Sequence, residues 1–199
     1  MTDILSPAGL DAVSGGPLLG PGRLVLVVGP SGAGKDTLLN GLRARLSARQ
    51  DCVFARRLIT RDTDGETEDH DSLGHDEYRQ LSGSGEVALC WEAHGHGYVI
   101  PKSCDAHITA GRMVIANGSR RALPQALAKY DAVTVLLITA PKDVLAQRLA
   151  ARGRESEEEI RRRLDRSDLE VSGVPHVVRI ENTGTVDQGV DAIMAALGL

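Results

Sequence analysis

Seven consecutive residues, Gly29-Pro30-Ser31-Gly32-Ala33-Gly34-Lys35, carry the strongest chemical signal in this chain of 199 residues. Gly29, Gly32 and Gly34 let the backbone wrap closely around a phosphate with its N–H groups turned inward, and Lys35 brings a cation to the outer phosphate oxygens. The flanks suit that chemistry. Arg23-Leu24-Val25-Leu26-Val27-Val28 reads as a strand buried on both faces, and Leu38, Leu39, Leu42 and Leu46 recur at helical spacing. Strand, glycine turn and helix N-terminus in that order make an anion site from backbone dipoles. Gly29, Pro30, Ser31, Gly32, Ala33, Gly34, Lys35, Asp36 and Thr37 are therefore the expected ATP-binding residues, with Lys35 also catalytic.

One position departs from the usual loop. The residue after the lysine should carry a hydroxyl for magnesium, but it is Asp36, followed by Thr37. Two readings stand. Asp36 or Thr37 supplies a hard oxygen to Mg2+, or Asp36 merely complements the positive start of the helix.

The basic residues comprise 19 Arg and 4 Lys. Arginine's planar fork suits phosphate, although GC-rich coding would also raise Arg together with Ala and Gly, so only arginines near a site carry weight. A formal net charge of −4 argues against a general nucleic-acid binder. Cys52, Cys90 and Cys104 have no paired spacing, there is no basic-then-apolar leader, and no apolar run reaches membrane-spanning length. The expectation is a cytoplasmic protein with no membrane or nucleic-acid partner; a homodimer stays open. A guanine-nucleotide switch would need an Asn-Lys-x-Asp segment, which is absent.

The elements that must position these residues alternate. Residues 1–21, rich in Gly, Pro and Ser, read as a flexible tail, and residues 22–199 as one domain. After the first strand and helix come a β-prone run at 53–60 and an acidic loop from Asp62 to Asp71. A strand at 87–93, a helix across 102–110, a strand at 113–116 and a helix near 122–129 follow. The most apolar strand spans 133–139, Pro141 opens a helix to about 151, and Ser156 with Glu159 forms a capping box for a charged helix to 169. A strand at 177–180 and a helix at 186–197 close the chain. Such alternation predicts an α/β fold with a parallel sheet covered on both faces.

Taken together, the motifs resemble the guanylate kinase superfamily of P-loop kinases. The glycine loop has its wording, Ile59-Thr60-Arg61 is similar to its acceptor-binding segment, and Arg148-Leu149, Arg152-Gly153 and Ile160-Arg161-Arg162-Arg163-Leu164 are similar to its arginine-bearing lid. Asn182-Thr183-Gly184 falls near its late Asn turn. The resemblance implies a three-layer fold with a small acceptor-binding lobe at about 56–100 and a lid at about 150–164. Guanylate kinase itself fits less closely, because Asp64 stands near its second acceptor arginine and Cys90 where an acidic guanine reader belongs.

Lys35-Asp36, Ile59-Thr60-Arg61-Asp62, Glu68-Asp69-His70, Trp91-Glu92-Ala93-His94-Gly95, Tyr98 and Asn117-Gly118-Ser119-Arg120 with Leu123-Pro124 resemble the ribose 1,5-bisphosphate phosphokinases, from about residue 23 to 195. Gly97 and Val99 around Tyr98 depart slightly from that family's wording. The resemblance implies ATP-dependent phosphorylation of ribose 1,5-bisphosphate to 5-phospho-α-D-ribose 1-diphosphate in phosphonate breakdown, with a sugar phosphate as the small-molecule partner. A nucleoside monophosphate kinase and a non-catalytic binding module are the alternatives.

Transfer to a phosphate needs no general base, only positioning and charge neutralisation. Arg61 is expected to grip the acceptor with help from Arg57, while Arg148, Arg152 and Arg163 close over the transferring group. Glu68, His70, Trp91, Tyr98, Asn117, Ser119 and Arg120 complete the expected acceptor site. Simpler readings accompany several of these: a solvated helix for the 152–163 arginines, a turn for Asn117-Gly118 and core packing for Trp91.

Overall fold

The computed structural model describes residues 17–61, 70–151, 164, 171 and 173–199. Alternation along the first strand, β1 (Leu19–Val28), explains the architecture. Leu24, Leu26 and Val28 enter one apolar cluster, and Val25 and Val27 enter another on the opposite face. A strand buried on both faces must also pair its backbone N–H and C=O groups along both edges. Parallel strands supply the partners: β7 (Met113–Asn117) and β8 (Tyr130–Thr139) flank β1, with β2 (Cys52–Phe54) and β9 (His176–Glu181) outside them. The order is β2-β7-β1-β8-β9.

Helices α1 (Lys35–Arg45) and α6 (Val186–Leu197) cover one face through Leu38, Leu39, Leu42, Val190, Ile193 and Leu197. A capping box starts α6: Gln188 N donates to Thr185 Oγ1 at 3.3 Å, and Thr185 N donates to Gln188 Oε1 at 2.9 Å. On the other face, α3 (Ser103–Thr109) and α4 (Leu123–Lys129) contribute Cys104, Ile108, Leu123 and Ala126. Helix α5 (Lys142–Ala150) follows β8.

A second sheet of order β4-β3-β6-β5 is built from β3 (Arg57–Ile59), β4 (His70–Ser72), β5 (Val87–Ala93) and β6 (His96–Pro101). Helix α2 (His75–Ser84) packs Tyr78 against it, with Leu73, Val87 and Val99. Gly97 has no side chain because the Tyr78 ring lies where its Cβ would be.

Two sequence expectations are corrected, and two elements had no expectation. The first strand starts at Leu19, which pairs with Tyr130, ahead of the strand start expected at Arg23; Gly20, Pro21 and Gly22 dilute its apolar signal. The run at 53–60 is two strands in two sheets, because Ala55 N bonds to Ile115 O and the chain then leaves the large sheet. Helix α2 escapes a periodicity reading because Tyr78 is its only buried residue. Strand β6 is hidden because its hairpin turns on His94-Gly95, both at positive φ, rather than on the usual Asn-Gly. The expected lid, apart from residues 150, 151 and 164, lies outside the described residues, as does the acidic loop at 62–69.

Candidate active site

All five strands of the large sheet point their C-terminal ends to one edge, where open parallel sheets place ligands. Gly29 to Gly34 follow β1 there. Gly29 has a φ of 152°, and a Cβ on it would meet the Ile138 carbonyl oxygen. Gly34, at φ 86°, is the residue before α1, and a Cβ on it would strike Asn182 Nδ2. Lys35 Nζ donates to the carbonyls of Gly29 (2.9 Å) and Pro30 (3.0 Å), so its ammonium is held over the loop.

The loop is braced from behind. Asn182, just past β9 and 8% exposed, donates through Nδ2 to Ala33 O at 2.8 Å and anchors its own N–H on Thr139 O at 2.7 Å. Arg148 of α5 donates through Nη2 to Asn182 O at 3.0 Å and through Nη1 to Gly32 O at 3.4 Å. A buried carbonyl left without a donor is costly, so this clasp fixes the loop's shape.

Asp36, Arg57 and Asn117, three expected residues from separate stretches, meet beside the loop. Register pairs Val27 with Asn117, which carries the end of β7 to the start of the phosphate loop. Asn117 Nδ2 donates to Asp36 Oδ1 at 2.6 Å, and Arg57 Nη1 donates to the Asn117 backbone oxygen at 2.9 Å. Asn117 Oδ1 is buried and has no hydrogen-bond partner among the described residues. Arg57 is itself buried, its guanidinium 5.3 Å from the Tyr98 ring centroid and 6.0 Å from that of Trp91. The two rings are cross-strand partners and stack at 5.3 Å with an interplanar angle of 1°. Trp91 thus belongs to the core while its ring also meets the Arg57 guanidinium.

The other expected residues are placed as follows. Thr37 is exposed on the first turn of α1. Arg61 follows β3, half-buried, and its carbonyl accepts from Ser72 Oγ at 3.0 Å. His70 is buried in β4 opposite Arg57. Ser119 caps the 3-10 turn at Arg120–Ala122 by accepting from Arg121 N at 3.3 Å. Arg120 is half-buried, and that burial pushes its guanidinium below the ordinary arginine value. Glu68, Arg152 and Arg163 lie outside the described residues.

Alternation along β5 turns Cys90 to the opposite face from Trp91, toward Tyr78 and α2. Burial pushes its thiol up, and Cys90 N donates to Gln125 Oε1 at 2.9 Å. A neutral thiol aimed away from the site cannot stand in for a purine-reading carboxylate. The three cysteines form no disulfide.

Sequence reasoning overlooked Asn40 and Arg43, which line a pocket with Asp36, Phe54, Arg57 and Asn117. Their signal was available as the i, i+4, i+7 spacing 36–40–43 along α1, a stripe bordering its buried leucines. Among the described residues no group of three His, Cys, Asp or Glu side chains converges as a metal cage, and no helix is long and apolar enough to cross a membrane.

Residues 25–168 match the family described as AAA domain. The chain is 45% identical over 174 residues to the ribose 1,5-bisphosphate phosphokinase PhnN of Agrobacterium fabrum, covering 87% of this chain and 95% of that protein. To the protein of the same name from Rhodopseudomonas palustris it is 48% identical over 167 residues, 84% of each chain. Its fold is similar to that of the guanylate kinase from Anaplasma phagocytophilum, with a TM-score of 0.62 at 18% identity, covering 89% of this chain and 85% of the other.

Proposed function

We propose, for a chain that belongs to the ribose 1,5-bisphosphate phosphokinase family, that it transfers the γ-phosphate of ATP to the 1-phosphate of ribose 1,5-bisphosphate, giving 5-phospho-α-D-ribose 1-diphosphate and ADP. The observation that carries this reading is the junction of Asp36, Asn117 and Arg57, which sets a buried arginine and an aromatic wall directly beside the phosphate loop. An acceptor that is itself a phosphate calls for this kind of wall, because it arrives charged.

In the reaction an oxygen of the acceptor 1-phosphate attacks the γ-phosphorus. A new P–O bond forms, the bond from the γ-phosphorus to its bridging oxygen breaks, and ADP leaves with that electron pair. The acceptor oxygen is already deprotonated near pH 7, so no side chain has to remove a proton. The protein's work is alignment and charge. Loop N–H groups and Lys35 hold the ATP phosphates, and Arg57 with Arg61 orients the acceptor. Arg148 approaches the loop from the α5 side, and Arg152 and Arg163 complete the cationic cover. The second sheet serves as the acceptor lobe, at about residues 56–100.

Magnesium suits the residues present. Asp36 and Thr37 offer a carboxylate and a hydroxyl beside the loop, and this ion takes one or two protein oxygens with the rest of its shell from phosphates and water. Held there, it would neutralise phosphate charge. The reaction is placed in the cytoplasm, in phosphonate breakdown.

The test is to incubate the protein with ATP and magnesium, offer ribose 1,5-bisphosphate, GMP and other nucleoside monophosphates separately, and identify the product by phosphorus NMR. A diphosphate signal on the sugar is expected, lost in Lys35→Met. Turnover of GMP with none of the sugar bisphosphate would overturn the reading in favour of a nucleotide kinase.

A further inference from the structure

A cleft open to solvent lies beside the phosphate loop, between α1 and the C-terminal ends of β2 and β7. Its length is polarised. Asp36 stands at the loop end, and Arg43 follows seven residues later on the same face, about 10 Å along the helix axis. Arg43 lines the cleft with its guanidinium 5.4 Å from the Phe54 ring centroid. Arg57 forms the side wall, fixed by Asn117 O and the two stacked rings. On Asn117, which Arg57 contacts, the side-chain Oδ1 acceptor is buried without a hydrogen-bond partner among the described residues.

This combination has a definite chemical complement. Two guanidiniums offer donors and positive charge, which suit a phosphate dianion. A bare carbonyl oxygen needs a donor, which a sugar hydroxyl has and a deprotonated phosphate lacks. A guanine would offer the two guanidiniums only the neutral acceptors O6 and N7, whereas a phosphate brings two negative charges to them. The pocket therefore selects a phosphorylated polyol over a purine base.

We propose that this pocket receives the ribose ring and the non-reacting 5-phosphate of the acceptor. The phosphate lies between Arg43 and Arg57, and a ribose hydroxyl donates to Asn117 Oδ1. The assignment rests on the acceptor being ribose 1,5-bisphosphate. The 1-phosphate must lie at the loop end to meet the γ-phosphorus in line, so the other phosphate of the same short molecule falls toward Arg43. Specificity for a bisphosphate over ribose 1-phosphate then resides in Arg43, a residue that takes no part in the bond change.

The experiment compares wild type with Arg43→Gln and Arg43→Lys. It measures KM for ribose 1,5-bisphosphate and for ATP, and inhibition constants for ribose 5-phosphate and ribose 1-phosphate as competitors of the acceptor. Each competitor keeps one of the two phosphates. In Arg43→Gln, KM for the bisphosphate and the inhibition constant of ribose 5-phosphate should both rise about tenfold or more. The constant for ribose 1-phosphate and KM for ATP should stay within about twofold. Arg43→Lys keeps the charge and should recover part of the loss. Equal weakening of both competitors, or no change in either, overturns the assignment while leaving the proposed reaction standing. Absence of bisphosphate turnover by the wild type removes the reaction and the assignment together.

Discussion

Asn117 Nδ2 donates to Asp36 Oδ1 at 2.6 Å, tying the last residue of β7 to the first turn of the helix that carries the phosphate loop. The same Asn117 receives Arg57 on its backbone oxygen. One residue thus links the helix after the phosphate loop to Arg57. Asn117→Asp would put two carboxylates in contact, and such a pair holds one proton more tightly than either group alone. At pH 8 the variant should lose about a hundredfold in kcat/KM for the acceptor. Protonating the pair restores an O–H donor to Asp36, so the variant's activity relative to wild type should rise as pH falls. A variant-to-wild-type ratio that stays flat from pH 8 to pH 5.5 would count against this role.

Arg57→Lys tests whether charge alone is enough at the wall. Lysine keeps the cation but loses the planar fork that reaches Asn117 O and lies over Tyr98 and Trp91. The acceptor KM should rise roughly tenfold to a hundredfold, with KM for ATP unchanged. Steady-state kinetics with each substrate varied in turn makes the comparison. A shift in ATP affinity of similar size would mean that Arg57 supports the phosphate loop and not the acceptor.

Away from the site, Tyr130 OH donates to Asp105 Oδ1 at 2.6 Å, and Lys129 Nζ sits 2.8 Å from Asp105 Oδ2 while also donating to Val87 O and Ala88 O. Here α3, α4 and β8 are joined to β5 of the second sheet. Tyr130→Phe leaves a buried carboxylate oxygen short of a donor and should cost about 1–3 kcal/mol in urea unfolding near pH 7. Burial, followed by the Asp105 hydrogen bond and charge, raises the Tyr130 hydroxyl above its ordinary value. The neutral phenol is therefore favoured by folding. Its contribution is complete below the unfolded value of about 10 and is lost as pH rises beyond it. The stability gap between wild type and Tyr130→Phe should narrow above that pH; a gap that widens would reverse the sign.

Much of this arrangement is legible in the chain. The continuous apolar run of β1 announces a strand buried on both faces, and the glycines that follow announce a phosphate loop. Asp36, in place of the usual hydroxyl residue, is legible as a departure read as a magnesium ligand or a helix-start charge, whereas its bond to Asn117 is not. Long-range geometry hides the rest. No local pattern shows that Cys90 faces α2 while Trp91 faces Arg57, since this depends on which face of β5 packs on α2. Arg43 reads as one more surface arginine until Phe54 arrives beside it from another strand. Ser119 shows the opposite case: its hydroxyl caps a turn, a local use that spacing alone cannot separate from substrate contact.

Asn182 is the residue on which the ATP side should depend most without touching the transferred phosphoryl. Its amide nitrogen satisfies Ala33 O inside the loop, and its backbone oxygen receives Arg148. Asn182→Ala removes the first contact and leaves a buried carbonyl unsatisfied, while the backbone contact to Arg148 can persist. The expected cost is about 1–3 kcal/mol of stability. A rise in KM for ATP of roughly tenfold should accompany it, because the loop no longer holds its N–H groups in one geometry. The acceptor KM should hold steady, since Asp36, Asn117 and Arg57 are joined independently of this clasp. Thermal unfolding with and without ATP separates the two effects. If Asn182 shapes the loop, ATP should raise the variant's melting temperature less than it raises that of wild type. An equal increment in both would reduce Asn182 to a packing residue.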